Sequence, residues 1–197
     1  MQKLVIATGN AHKLHEIRTL LQPLGIEVLP QSDYNVPEAA EPHDTFIENA
    51  LAKARHASRL TGLPALADDS GLCVDALGGA PGVISAIYAG EPRSDARNNA
   101  KLLEAMRDIH DRRAHYHCTL VLLRHADDPQ PIIAEGQWDG VILQEARGAG
   151  GFGYDPLFLD TVLQQSVAEI SLADKNHVSH RGKALRALVE KLHDLQG

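Results

Sequence analysis

The chain has 197 residues, 44% hydrophobic and 23% charged, with a formal net charge of −7 at pH 7. These values suit a soluble globular protein large enough to bury a core. They argue against nucleic acid or an anionic membrane as the main partner, while leaving room for a small anion in a local basic pocket. The two cysteines, Cys73 and Cys118, sit in apolar, strand-like runs and read as free buried thiols, not a disulfide framework. The first apolar run is too short for a secretion signal and no run approaches a membrane span, so a soluble, cytoplasmic protein is expected.

Lys3-Leu-Val-Ile-Ala-Thr8 is a continuous apolar, β-branched run and predicts a buried central strand. Gly9-Asn10 breaks it. From Ala11 the apolar residues Leu14, Ile17, Leu20, Leu21 and Leu24 recur at helical spacing, with Asn10 as the cap. Lys13 in the first turn has the wrong sign for the helix dipole, which makes sense where an anion shares the site. Thr8-Gly9-Asn10-x-x-Lys13 is therefore a candidate phosphate site. A short strand, Ile26–Leu29, leads into a polar loop from Pro30 to Asp44. Thr45-Phe46-Ile47-Glu48 has the capping-box form, and the helix behind it stops before Gly62. Asn49 and Lys53 are four apart and share a face; Arg55, His56 and Arg59 read as a solvated one.

Ala67-Asp68-Asp69-Ser70-Gly71 lies between two apolar runs. Ser70-Gly71 supplies turn chemistry, so a strand, a tight turn and a second strand are predicted, with both acids at the bend. Carboxylates so placed suit a hard divalent cation such as Mg²⁺. Gly78 to Gly82 is a loop, and Ser94 caps a helix carrying Ala100, Leu103 and Met106 inward. His115 to Leu123 is a strand, and His115 and His117 share one face of it, a pair that reads as solvated or hydrogen-bonded without a third ligand. Pro131 to Leu143 reads as one or two strands, with Asp139-Gly140 as a possible turn. Gly148-Ala-Gly-Gly-Phe-Gly-Tyr-Asp-Pro156 is a loop whose glycines let backbone pass close to a ligand and whose Phe152 can meet a flat ring. Asp160 to Ala173 is weakly patterned. A final helix buries Ala184, Leu185, Leu188, Val189, Leu192 and Leu195, with Ser179 as its cap and His180 and Arg181 at its start. Strands and helices alternate without a composition break, so the fold class is α/β with a mixed sheet.

Six motifs, taken together, resemble one family. They are Thr8-Gly9-Asn10-x-x-Lys13, Thr45-Phe46-x-Glu48-Asn49-Ala50-x-x-Lys53-Ala54, Ala67-Asp68-Asp69-Ser70-Gly71-Leu72, Gly78-Gly79-Ala80-Pro81-Gly82, Gly151-Phe152-Gly153-Tyr154-Asp155-Pro156 and Ser179-His180-Arg181-Gly182. Their order over almost the whole chain is that of the inosine/xanthosine triphosphate pyrophosphatases, the HAM1-type enzymes acting on non-standard purine triphosphates. The resemblance implies a single two-lobed domain over residues 1–197, with an elongated mixed central sheet, helices on both sides and a nucleotide cleft between the lobes. It implies a homodimer that hydrolyses ITP, dITP, XTP and dXTP to the monophosphate and pyrophosphate with Mg²⁺, cleansing the nucleotide pool. Asp69 matches the catalytic residue and a metal ligand, Glu41 another ligand, and Asp68 a candidate third. Thr8, Gly9, Asn10, Ala11, His12, Lys13 and Lys53 match triphosphate contacts, with Ser70 beside the metal. Phe152, Gly153, Tyr154, Asp155, Lys175, His180 and Arg181 match nucleoside and base contacts. Many relatives carry Ser-Ala-Arg-Tyr where this chain has Ser85-Ala86-Ile87-Tyr88.

Overall fold

The computed structural model describes residues 2–194. Seven strands hydrogen-bond in the order β2-β1-β3-β4-β5-β6-β7, where β1 is Lys3–Ile6, β2 Glu27–Pro30, β3 Ala65–Val74, β4 Arg113–Leu123, β5 Ile132–Ile142, β6 Phe158–Asp160 and β7 Gln165–Ser166. The sheet is mixed: β1 runs parallel to β2 and β3, whereas β5–β6 and β6–β7 are antiparallel. The helices are α1 (Ala11–Leu21), α2 (Phe46–Thr61), α3 (Asp95–Ala105), α4 (Leu172–Val178) and α5 (His180–Asp194). The α/β expectation holds. The chain forms two compact units, one of residues 1–69, 118–136 and 181–197, the other of residues 70–117 and 137–180. The long strands β3, β4 and β5 pass from one unit to the other.

In the first unit, strand alternation sorts the helices onto two faces. Leu4, Ile6 and Leu66 pack with Ile17 and Leu21 of α1 and with Leu185 and Leu188 of α5. Val5, Ala7, Ala65 and Ala67 pack with Ala50, Ala54 and Ala57 of α2. The alanines let α2 lie close to the sheet. The predicted caps form: Asn10 accepts from the N–H groups of His12 and Lys13, and Thr45 from that of Glu48. Thr45 Oγ1 also donates to Glu48 Oε2 at 2.6 Å, so the box closes between side chains. Cys118 is buried, and burial pushes its thiol up to about 12. Leu195 lies outside the described residues.

The turn between β4 and β5 is built on Asp128, which is 1% exposed. Its carboxylate accepts from the Arg124 N–H (3.0 Å), Arg124 Nε (2.7 Å), Arg124 Nη2 (2.5 Å) and the Gln130 N–H (3.0 Å). These hydrogen bonds, those of Arg124 first, hold the carboxyl well below the usual carboxylate range. Asp128→Ala should therefore cost about 2–3 kcal/mol in urea unfolding at neutral pH, because backbone donors lose a charged acceptor. A depressed pKa stabilises the fold above the unfolded value of about 3.9 and loses that stabilisation as pH falls through the folded one. The variant and parent should converge in acid.

In the second unit, Leu72, Val74, Leu102, Met106, Tyr116, Trp138, Leu157 and Phe158 form the core. Ser94 caps α3 as expected, accepting from the Arg97 N–H. Some expectations change and others narrow. The acidic stretch is not a hairpin bend, since Ala65 to Val74 is one continuous strand. Burial of Ala65–Asp69, Gly71, Leu72 and Val74 overrides the local turn chemistry of Ser70-Gly71. Pro131 to Leu143 holds one strand, with Asp139-Gly140 inside it. Gly140 serves close approach there, because a Cβ would lie 2.6 Å from the Phe158 ring and 2.4 Å from the Leu159 carbonyl oxygen. The weakly patterned stretch from Asp160 contains β7, a 3-10 turn and the start of α4. Cys73 is only half-buried. His115 Nδ1 lies 3.8 Å from Asp75 Oδ1, and no group of three His, Cys, Asp or Glu side chains gathers around either histidine among the described residues.

Candidate active site

Apart from Ser70, which opens the second unit, the predicted phosphate and metal residues lie in the first unit. Because Asp68 and Asp69 are consecutive in a strand, they point to opposite faces of the sheet. Asp68 joins the α1/α5 face. Its Oδ2 lies 2.9 Å from Lys13 Nζ and 3.4 Å from Arg181 Nε, while Arg181 Nη1 lies 2.6 Å from Glu16 Oε2. Burial alone would raise the Asp68 carboxyl, but the charges of Lys13, Arg181 and Lys53 outweigh it and hold the group well below the usual range. The lysine at the start of α1 thus has its counter-charge from β3. Two acids and two bases balance on this face.

Asp69 joins the α2 face. Its Oδ1 lies 2.9 Å from Lys53 Nζ, which also lies 3.1 Å from Glu41 Oε2. Burial pushes the Asp69 carboxyl up to about 6; Lys53 opposes the shift and the Glu41 charge adds to it. Lys53 is raised: burial lowers it, and Asp69, Asp68 and Glu41 together do more. Two carboxylates share one ammonium here, an excess of one negative charge. Asp69 Oδ2 is buried and makes no hydrogen bond among the described residues. Asp69 and Glu41 are hard oxygen donors, and one or two carboxylates completed by water and phosphate are a common magnesium set. No group of three His, Cys, Asp or Glu side chains that could hold a metal is gathered among the described residues. Asp68, turned to the other face, is not part of that pair.

Backbone completes the phosphate candidate. Thr8 Oγ1 accepts from the Asn10 N–H at 3.1 Å. A Cβ at Gly9 would lie 2.2 Å from Glu38 Oε1, the end of an exposed side chain that can turn aside. Ala11 and His12 open α1, the His12 N–H going to Asn10. Ser70 begins the second half of β3.

The second unit gathers most of the predicted nucleoside residues. Asp155 is the hub: Oδ2 accepts from the Phe152 N–H at 2.9 Å and from Lys175 Nζ at 2.7 Å, and Oδ1 accepts from the Tyr116 hydroxyl at 3.3 Å. Lys175 Nζ also lies 4.6 Å over the Phe152 ring. The Gly153 peptide is held at both ends by α3, its N–H donating to Asp95 Oδ2 and its carbonyl accepting from Asn99 Nδ2. The Tyr154 hydroxyl donates to the Ser85 carbonyl at 2.8 Å. His180 stacks on Tyr116, with centroids 4.9 Å apart and planes 13° from parallel. Arg181, adjacent in sequence, belongs to the Asp68 group of the first unit and not to this one.

Sequence reasoning missed Glu16, Asp95, Asn99 and Tyr116. Glu16 carried a signal, since it lies three residues from Lys13 and beside Ile17 on the buried side of α1. Asp95, Asn99 and Tyr116 carried none, because their partners are distant in sequence.

A model described as the Ham1 family matches residues 4–191. The chain is 63% identical to a dITP/XTP pyrophosphatase of Chromobacterium violaceum, covering 96% of each chain. It is 64% identical to one of Nitrosomonas europaea, covering 98% of this chain and 95% of the relative. Among solved structures it is similar to a HAM1 protein of Coxiella burnetii, with a TM-score of 0.94, 47% identity and coverage of 98% and 100%.

Proposed function

The chain belongs to the Ham1 family, and we propose that it hydrolyses purine triphosphates with a 6-oxo base, namely dITP, ITP, XTP and dXTP, to the monophosphate and pyrophosphate. The names of relatives at 63% and 64% identity support this reading. The observation that carries it is the Lys53 ammonium shared by Asp69 and Glu41, with Asp69 Oδ2 unoccupied by any donor among the described residues. Cleavage at the α-phosphorus requires a neutralised leaving pyrophosphate and a water aimed in line. Lys13 and Lys53, from two helices, supply cations for the phosphate oxygens. Asp69 Oδ2 accepts the proton of the attacking water. Asp69 and Glu41 would hold Mg²⁺, which would neutralise polyphosphate charge when bound. Asp68 holds Lys13 in place and is not a ligand in this reading. Thr8 to His12 and Ser70 line the phosphates.

We assign Phe152, Gly153, Tyr154, Asp155 and Lys175 to the nucleoside, and His180 to the 6-oxo oxygen; Arg181, paired with Asp68 and Glu16, is left out of base recognition. Adenine presents an amino donor there and would leave the His180 donor mispaired, the strong form of discrimination. A cytoplasmic homodimer that clears the nucleotide pool is the cellular role that follows. Purified protein with Mg²⁺ should release pyrophosphate from ITP far faster than from ATP; orthophosphate as the product would point to a general phosphatase, and binding without turnover to a sensor. His180→Ala should narrow the ITP-to-ATP ratio of kcat/KM by about tenfold or more, the worth of one hydrogen bond to a buried polar group. An unchanged ratio would place base recognition elsewhere.

A further inference from the structure

Glu41 lies in an irregular stretch and its side chain is 45% exposed, so burial does not fix it. Yet its Oε2 stands 3.1 Å from Lys53 Nζ. The stretch is held by α2. Asn49, 1% exposed, accepts from the His43 N–H at 3.0 Å and donates from Nδ2 to the His43 carbonyl at 3.1 Å. On the other side of Glu41, His56 Nε2 lies 3.0 Å from the Pro37 carbonyl oxygen. Asn49, Lys53 and His56 stand at i, i+4 and i+7, on one face of the helix. They meet residues 43, 41 and 37, so the stretch runs back along the helix and is fastened at three points. We infer that Asn49 is a positioning residue for Glu41: its amide grips both polar groups of one peptide residue and sets where the carboxylate hangs. Only a side chain with a donor and an acceptor on one short arm can do this. Aspartate keeps the acceptor alone, and alanine neither.

This inference rests on the reading of Glu41 as a functional carboxylate, and a double-mutant cycle separates the two. With ITP and Mg²⁺, Asn49→Ala should lower kcat/KM by about tenfold to a hundredfold, the usual cost of losing the group that orients a ligand. In a Glu41→Ala background the same change should cost no more than about twofold, the ordinary error of additivity. Asn49→Asp should fall between parent and Asn49→Ala, and remains assayable should the alanine variant fold poorly. Hydrogen exchange gives a readout independent of turnover: the His43 amide should lose protection in Asn49→Ala while β1 amides keep theirs. A silent Glu41→Ala would overturn the reading of Glu41 and the inference with it. A damaging Glu41→Ala beside a silent Asn49→Ala, or equal losses from Asn49→Ala in both backgrounds, would overturn the inference alone.

Discussion

Asp69→Asn should reduce turnover of ITP by at least about a thousandfold, the scale seen when a central catalytic group is removed. The isosteric amide keeps an oxygen within reach of Lys53 but takes away the negative charge and the proton acceptor at Oδ2. Stability should change little. Lys53 retains Glu41, and Asp69 is a group whose burial opposes its charged form. The result to look for is an unchanged unfolding midpoint in urea beside a collapsed kcat. Near-normal turnover would remove Asp69 from the chemistry, whatever the fate of the fold.

Arg181→Ala should have the largest effect on stability, about 3–5 kcal/mol, the usual cost of breaking a buried ion pair from one side. Arg181 is 4% exposed, Glu16 is 6% exposed and Asp68 is 2% exposed. Removing the guanidinium leaves two buried carboxylates short of a cation, Asp68 keeping Lys13 at 2.9 Å. Burial opposes the Arg181 charge, but Asp68 and Glu16 raise its pKa overall, which marks the cation as integral to the cluster. Adding Glu16→Gln to Arg181→Ala should return a large part of the loss, because the charge left uncompensated is removed. Urea unfolding of the single and double variants measures this. Equal stability of the two would show that packing, not charge, is what Arg181 contributes.

Much of the local structure could be read from the chain. The caps at Asn10, Thr45 and Ser94, the apolar run of β1 and the alanine-rich face of α2 all follow from short-range chemistry. The site residues of the first unit were also legible as residue types in order. Their arrangement was not. Ser70-Gly71 suggested a bend, because turn propensity is local, whereas the strand there is fixed by neighbours on both sides. Arg181 stood beside His180 at the start of the final helix, yet its partners are Glu16 and Asp68, 165 and 113 residues away. Sequence spacing carries no record of such contacts.

What the amino-acid sequence by itself determined was the class of fold, the family and the kinds of groups available: paired acids, two lysines at helix positions, a glycine-rich loop with an aromatic. Those are properties of composition, period and order. What only the tertiary structure decided was the division of labour between two neighbouring aspartates. A strand sends successive side chains to opposite faces, so Asp68 went to Lys13 and Arg181 and Asp69 to Lys53 and Glu41. Which helix covers which face is set by core packing, and that alone put a balanced set of charges on one side and an excess negative charge on the other.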